Sequence, residues 1–346
     1  MSSSSTPVSF AKFQRWVVLA IVSCIVLYVG FSVWSGLDDI GQELRRFNWW
    51  MFVAAIGLTL SNYALRFVKW HYLLGRLDVE IPWVLDAWNF IAGLSMAISP
   101  GKAGELLKPY VVRRVTKTPM ARTIPALITE RLTDGIAMLL LAGVGVMTYA
   151  ADKIEWLVIP SVITVVGLLV LASKPATDLI LRLLAPLPVF DKLIPKISEM
   201  IDSMRTCVAP IPLLWTVVLS VVAWGAECLA FQLIFKGMGI DAGFDVCFFL
   251  YAFATVAGSA MPGGLGVADG ALVGGAMQFL TVTEGQAVTA ALLTRVATLW
   301  LGVGLGALAL LKVSSILESY PVETDDGIDD AVTDTEQSTG TPNDVR

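Results

Sequence analysis

The sequence has one histidine, four cysteines and few charged residues, and these shortages exclude several kinds of site. The histidine, His71, follows Trp70 near a predicted helix end, so we expect it at the membrane interface. Because it is the only histidine, no serine–histidine–aspartate set can be proposed. The cysteines have no metal-binding or redox spacing, and we interpret them as packing residues: Cys24, Cys207, Cys228 and Cys247. We therefore expect no metal, no cofactor and no nucleic-acid partner.

Apolar residues are abundant instead. Of the 346 residues, 56% are hydrophobic and 15% are charged, and the mean hydropathy is +0.72. This composition is typical of a membrane protein with several spans, and it leaves no stretch long enough for an ordinary soluble domain. The sequence thus predicts an all-α polytopic integral membrane protein with about six full spans and two broken, re-entrant helical hairpins.

The predicted order along the chain is a lead, a membrane domain and a tail. Residues 1–15 form a cytoplasmic lead, residues 16–320 the membrane domain, and residues 321–346 an acidic tail that we expect to be disordered. Residues 38–48 are predicted as a polar connection and residues 174–211 as amphipathic helices at the interface. The predicted full spans are 16–34, 49–74, 124–149, 156–172, 213–235 and 286–311.

One apolar stretch, YAFATVAGSAMPGGLGVADGALVGG at 251–275, is broken in its middle. Proline removes a backbone donor, and glycine gives the backbone freedom, so one straight helix is not expected here. Two half-helices should meet at a turn instead, and backbone freed at membrane depth is tolerated where it lines a cavity. The residues that define this turn are Pro262, Gly263, Gly264, Gly266 and the following carboxylate Asp269.

A second stretch, FIAGLSMAISPGKAGELL at 90–107, repeats this order of residues. Pro100 and Gly101 are followed by Gly104 and Glu105. Downstream, Arg131 lies 31 residues after Pro100, and Arg295 lies 33 residues after Pro262. Interrupted segments at corresponding positions of two halves indicate a site between repeats, here 49–149 and 213–311. The alternative is a chance likeness, because small residues are common in membrane helices.

Basic residues predict the orientation in the membrane. With a cytoplasmic N-terminus, seventeen lysines and arginines fall inside or on the inner side and four fall outside. Both termini and residues 174–211 are then cytoplasmic in the inner membrane, while residues 150–155 and 236–245 are external. The two broken segments would enter from opposite sides, which makes the repeats inverted.

The two turns predict a shared anion site. Each would present the N-terminus of a new helix near mid-membrane, and such an N-terminus binds phosphate. Lys102, Arg66, Arg131 and Arg295 could converge there, which would suit the phosphate of a lipid headgroup. The nearby carboxylates would pair with these arginines or couple to protons: Glu105, Glu130, Asp134, Glu227 and Asp269. The alternative is that Glu227 and the Arg131–Asp134 pair are structural, or lie shallow enough to reach headgroup water.

The segments SPGKAGELLKPYVV, TERLTDGIA and MPGGLGVADGAL resemble the lysylphosphatidylglycerol synthase transmembrane region family. The resemblance extends over nearly the whole membrane domain. It implies an integral membrane protein linked to lipid or glycolipid translocation, similar to the flippase portion of the bacterial enzyme that lysinylates phosphatidylglycerol. The sequence has no soluble aminoacyl-transfer domain, so the resemblance does not extend to synthase activity.

Three hypotheses for function remain open at this point. The first is a flippase that moves an anionic phospholipid or a polyprenyl-linked glycolipid between leaflets. The second is a membrane partner that positions a separate glycosyl- or aminoacyl-transferase without transporting lipid. The third is an enzyme that modifies the lipid, with Glu105 or Asp269 as acid or base.

Overall fold

The computed structural model of the chain describes residues 37–99, 104–149, 155–184 and 194–320, and those residues form helices and connections without a strand. The predicted span 16–34 and the acidic tail lie outside them. The helices are α1 (Leu37–Arg46), α2 (Trp49–Arg76), α3 (Trp83–Leu94), α4 (Leu107–Thr116), α5 (Met120–Tyr149), α6 (Glu155–Ala172), α7 (Lys174–Leu184), α8 (Ile194–Cys207), α9 (Pro210–Gly237), α10 (Phe244–Ala257), α11 (Val267–Phe279), α12 (Glu284–Arg295) and α13 (Leu301–Leu317). A π-helical turn, Val296–Trp300, joins α12 to α13.

The lengths and surfaces of these helices fit a membrane. Three helical stretches among the described residues are long and apolar enough to cross one: Trp49–Arg76, Pro210–Gly237 and Glu284–Leu317. Helix α5 has 30 residues, and α6 exposes valine, isoleucine and leucine along its length. Such an apolar exterior is stable in lipid, where contact with hydrocarbon replaces burial. The prediction of an all-α polytopic membrane protein is confirmed.

The prediction of a polar connection at 38–48 is wrong. Most of that stretch forms α1, because Ile40 and Leu44 fall on one face of the helix and pack against the core, as does Phe47 just beyond its end. The polar residues between them occupy the other face. Phe47 also fixes the start of α2, since its ring fills the space beside Gly237 that a side chain there would need.

Helices α2 and α9 form an antiparallel central pair of 28 residues each. Near one end the Asn48 N–H donates to the Gly237 carbonyl at 2.8 Å, and near the middle the Asn62 Nδ2 donates to the Ala223 carbonyl at 2.9 Å. Toward the other end Lys69 Nζ donates to Ser220 Oγ at 2.7 Å. The equal lengths and opposite directions are those expected of corresponding helices in an inverted repeat.

The first broken segment enters and leaves on one side of the molecule. Asp78 follows the end of α2, and its carboxylate lies 3.5 Å from Arg122 at the start of α5. Helices α3 and α4 therefore begin and end on that side, where Arg114 of α4 also donates to the carbonyls of Leu317, the last residue of α13, and of Tyr320.

The second broken segment enters from the opposite side. The end of α9 at Gly237 lies beside Asn48, and Gln286 at the start of α12 donates to Glu43 of α1 at 3.3 Å. Helices α10 and α11 thus begin and end at the other end of the central pair.

The two segments exchange partners and meet. Helix α3 of the first half packs along α13 of the second, and α10 of the second half packs along α5 of the first. A 3₁₀ turn after α3, Ser95–Ile98, contacts the 3₁₀ turn Pro262–Gly264 that precedes α11. Residues Pro100, Gly101 and Lys102 lie outside the described part of the first tip. The remainder of both tips meets inside the molecule, as the repeat predicted.

Candidate functional site

A cavity of about 190 Å³ lies where the two broken segments meet the central helix pair. Side chains or backbone from both halves line it. The cavity lining contains four basic residues, Arg66, Lys108, Arg131 and Arg295, and two acidic ones, Glu105 and Glu227. Most of the remaining lining residues are aromatic, small or aliphatic. Arg66 lies about 5 Å along the helix from the midpoint of α2, at a rise of about 1.5 Å per residue. The cavity is therefore close to mid-membrane depth and carries an excess of basic side chains.

Glu130 is the centre of the ion-pair network on one side of the cavity. Its side chain has no solvent exposure, and its two oxygens contact three bases. Lys108 pairs with Oε2, Arg131 pairs with Oε1, and Arg66 Nη2 lies 3.4 Å from Oε1. The Lys108 ammonium also lies 4.3 Å from the ring centre of Trp70. Three bases around one carboxylate give Glu130 a stable charge and fix the positions of the bases.

Lys69 and Asp134 form the adjoining part of this network. Lys69 Nζ lies 2.5 Å from Asp134 Oδ1 and also donates to the Glu130 carbonyl, Thr133 Oγ1 and Ser220 Oγ. Arg131 Nη2 lies 3.4 Å from Asp134 Oδ2, so the predicted pair on one face of α5 is present. The lysine side chain is fully buried, and these four contacts satisfy an ammonium that would otherwise be costly inside the membrane.

Two of the seventeen basic residues that supported the orientation do not lie at the cytoplasmic surface. Lys69 and Lys108 are buried at 0% and 4% exposure, and both join the network instead. The physical reason is that each has a buried carboxylate within reach, which removes the need to extend toward headgroups. Fifteen against four still favours the same orientation, which stays a prediction.

The second half contributes a simpler pair. Arg295 Nε lies 2.6 Å from Asp269 Oδ1, and the guanidinium also reaches the carbonyls of Gly263 and Gly264 at 3.3 and 3.4 Å. The other Asp269 oxygen accepts the Gly266 N–H at 2.9 Å and so caps α11. The predicted helix N-terminus is therefore present, but its Gly266 N–H donates to the Asp269 carboxylate of the same helix and not to a ligand.

The ion pairs of the two halves correspond in sequence. Arg131 Nε lies 3.5 Å from Glu105 Oε2, and these residues are 26 apart, as are Asp269 and Arg295. In both halves a carboxylate just after the proline–glycine turn pairs with an arginine of the following long helix. A chance likeness of small residues would not reproduce this contact, so the pairs support the repeat independently.

Three buried N–H donors that line the cavity lack an acceptor within the described part of the chain. They are Arg66 Nε, Arg131 Nε and Trp224 Nε1. The two guanidinium nitrogens lie near carboxylates, Arg66 Nε at 4.0 Å from Asp134 and Arg131 Nε at 3.5 Å from Glu105, without completing a hydrogen bond. Buried donors without acceptors are rare in proteins.

The structure brings six of the predicted site residues to the cavity wall: Arg66, Glu105, Arg131, Gly263, Gly264 and Arg295. Four others act from behind it. Asp134 and Asp269 hold the arginines, Gly266 begins α11, and Gly104 closes the first turn through its N–H and Ser99 Oγ at 3.0 Å. Gly101 and Lys102 lie outside the described residues.

Sequence reasoning missed several residues of this site. The sequence places Lys69 and Lys108 at the inner surface, predicts only arginine partners for Glu130, and gives no signal for Tyr63 or Trp224. A signal existed for two of them: Lys69 follows Arg66 by three residues and Lys108 follows Glu105 by three, so each shares a helical face with a predicted site residue. Within the described ranges no group of histidine, cysteine and acidic residues could hold a metal ion.

Comparisons with known proteins place this geometry in context. The model of the family described as "Lysylphosphatidylglycerol synthase TM region" matches residues 15–306. A "UPF0104 membrane protein" of Methanothermobacter thermautotrophicus is 25% identical over 306 residues, covering 82% of this chain and 90% of the relative. No solved structure matches the chain.

Proposed function

The chain belongs to the lysylphosphatidylglycerol synthase TM region family, and from that premise we propose that it moves an anionic phospholipid or polyprenyl-linked glycolipid between leaflets. The observation that carries the proposal is the set of four basic side chains, Arg66, Lys108, Arg131 and Arg295, that line one cavity near mid-membrane together with only two acidic ones. A headgroup phosphate offers acceptor oxygens and a negative charge to this set.

Each residue has a separate part in this proposal. Arg66 and Arg131 bind the phosphate oxygens, and the Trp224 ring supports the Arg66 guanidinium, which lies 5.4 Å from the ring centre. Glu130 and Asp134 hold the two arginines in place. Arg295 contacts the carbonyls of Gly263 and Gly264 at the second turn. The glycines of the turns let the backbone come close to the headgroup.

The two halves supply the movement. The broken segments enter from opposite sides and meet at the cavity, so displacement of one segment would open the site to one leaflet and displacement of the other to the opposite leaflet. We place the protein in the cytoplasmic membrane with both termini inside. In this proposal the protein is not an enzyme and has membrane lipid as its partner.

The test is a leaflet-specific assay in proteoliposomes that contain the purified protein and fluorescent phosphatidylglycerol. We expect the lipid to move between leaflets, and we expect Arg131→Met to abolish movement because it removes the charge at nearly constant volume. Arg46→Met, on the exposed face of α1, is the matched control and should keep full activity. Modification of the lipid would favour an enzyme, and neither movement nor modification would favour a partner of a separate lipid-modifying transferase.

A further inference from the structure

Glu227 differs from every other carboxylate around the cavity. Glu105, Glu130, Asp134 and Asp269 each have a basic side chain within 4.0 Å. Glu227 has none among the described residues, although it is 4% exposed and lies in the middle part of α9. Its Oε2 accepts a hydrogen bond from Tyr251 at 2.6 Å, and the residue lines the cavity. A nearby cation favours the ionised form of a carboxyl group. Because Glu227 has no such cation within 4.0 Å in the described part of the chain, it is the acid of this set that can most readily bind a proton.

The groups that face Glu227 come from four packed helices. Tyr63 and Arg66 lie on α2, Asp134 on α5, Tyr251 on α10 and Arg295 at the end of α12, while Cys228 is its neighbour on α9. Arg66 and Arg295 are each committed to other carboxylates at shorter range. A charged Glu227 would therefore remain without an ion pair in a low-dielectric site, which is costly.

The net charge of the whole cluster depends on whether Glu227 is ionised. Among the described residues five bases, Arg66, Lys69, Lys108, Arg131 and Arg295, surround five carboxylates, Glu105, Glu130, Asp134, Glu227 and Asp269. The cluster is neutral when all are charged, and it carries one positive charge when Glu227 is the neutral acid. One phosphodiester anion then restores neutrality.

Resting on the proposed function, we propose that Glu227 is the proton site of a proton-coupled lipid transporter, which takes up one proton with each phosphodiester headgroup. The proton comes from water in the cavity and binds Oε1, while the Tyr251 hydroxyl continues to donate to Oε2 in either state. When the headgroup leaves, the cluster regains its extra positive charge, and Glu227 releases the proton to cavity water. Proton and lipid therefore move together.

Proton uptake during lipid binding tests this inference directly. Dioctanoyl-phosphatidylglycerol is added to the purified full-length protein in weakly buffered micelles with a pH indicator, scanned from about pH 5 to about pH 10, a range wide enough for a perturbed carboxyl group. We expect uptake to reach about one proton per bound lipid and lipid affinity to fall up to about tenfold per pH unit where Glu227 ionises. Lipid binding without proton uptake anywhere in that range overturns the inference and leaves the proposed function standing.

Variants separate a proton site from a packing role. Glu227→Gln should bind lipid with no proton uptake and with an affinity that does not change with pH, whereas Glu80→Gln, an exposed matched control, should behave as wild type. Tyr251→Phe should keep the stoichiometry of one proton per lipid, because the hydroxyl only donates to Oε2 and is not the proton site. A Glu227→Gln protein that still takes up a proton would refute the assignment. Lipid neither bound nor moved by wild type would reject the proposed function as well.

Discussion

Replacing Lys69 with methionine should destabilise the fold strongly, although its position seven residues before the end of α2 resembles that of an exposed lysine. The side chain has no solvent exposure and donates to four acceptors on α5 and α9, among them Asp134 at 2.5 Å. Removing one partner of a buried ion pair costs about 3–5 kcal/mol, because the other charge stays buried. Arg66 and Arg131 remain near Asp134 at 4.0 and 3.4 Å, which places the expected loss at the lower end of that range.

The assay can use the cysteines of the protein itself. Cys207, Cys228 and Cys247 are free and buried, so a thiol-reactive dye reports unfolding as they become accessible. Lys236→Met, in the last turn of α9, is the matched control, since its side chain is exposed and surface substitutions change stability by about 0.5 kcal/mol or less. Equal unfolding midpoints for the two variants would mean that Lys69 reaches the headgroups, and the network described above would then be wrong.

Three further changes test other parts of the site. Arg295→Met should destabilise the protein by about 3–5 kcal/mol, more than Arg131→Met, because Asp269 loses a partner at 2.6 Å, whereas Arg131 lies 3.5 Å from Glu105 and Glu130 keeps Lys108 and Arg66; equal losses in thermal unfolding would contradict this. Gly264→Ala should cost about 1–2 kcal/mol and reduce lipid movement, since Gly264 has φ +71°, and Gly41→Ala in α1 should not. In a cysteine-free background, Leu179→Cys should be labelled from the cytoplasm and Asp241→Cys from outside, and the reverse pattern would overturn the orientation.

The broken segments were predictable because their causes are local. Proline and glycine interrupt a helix through their own backbone chemistry, so Pro262 and Gly264 mark a turn in any tertiary context. The sequence predicted in general that carboxylates near the turns would pair with the arginines, and Asp269 with Arg295 and Glu105 with Arg131 are two such pairs at corresponding positions. Because the same order of proline, glycine, carboxylate and arginine occurs in both halves, an interpretation of one broken segment must also fit the other.

The burial of Lys69, Lys108 and Glu130 could not be predicted with the same rules. A long basic side chain near a helix end can extend to the headgroups or turn inward, and the choice depends on whether a carboxylate from another helix lies within reach. Lys108 reaches Glu130 of α5, and Lys69 reaches Asp134 and Ser220, contacts that separate residues by 22 to 151 positions in sequence. Contacts between residues so far apart in sequence cannot be predicted from the residues that neighbour each lysine in the chain.

The central helices show where the two halves diverge. Arg66 and Glu227 both occupy the eighteenth position of 28-residue helices that run antiparallel, so the repeat places a base in one half where the other has an acid. Because the helices are antiparallel, the two residues lie on opposite sides of the midpoint, about 10 Å apart along the axis at about 1.5 Å per residue. The corresponding backbones of the two halves bring two tips to one cavity, whereas the exchange of arginine for glutamate gives that cavity a basic residue and a separate carboxylate. Substituting Glu227 by arginine would make the halves alike at this position, and the same reasoning predicts that the cavity would then retain its headgroup instead of releasing it.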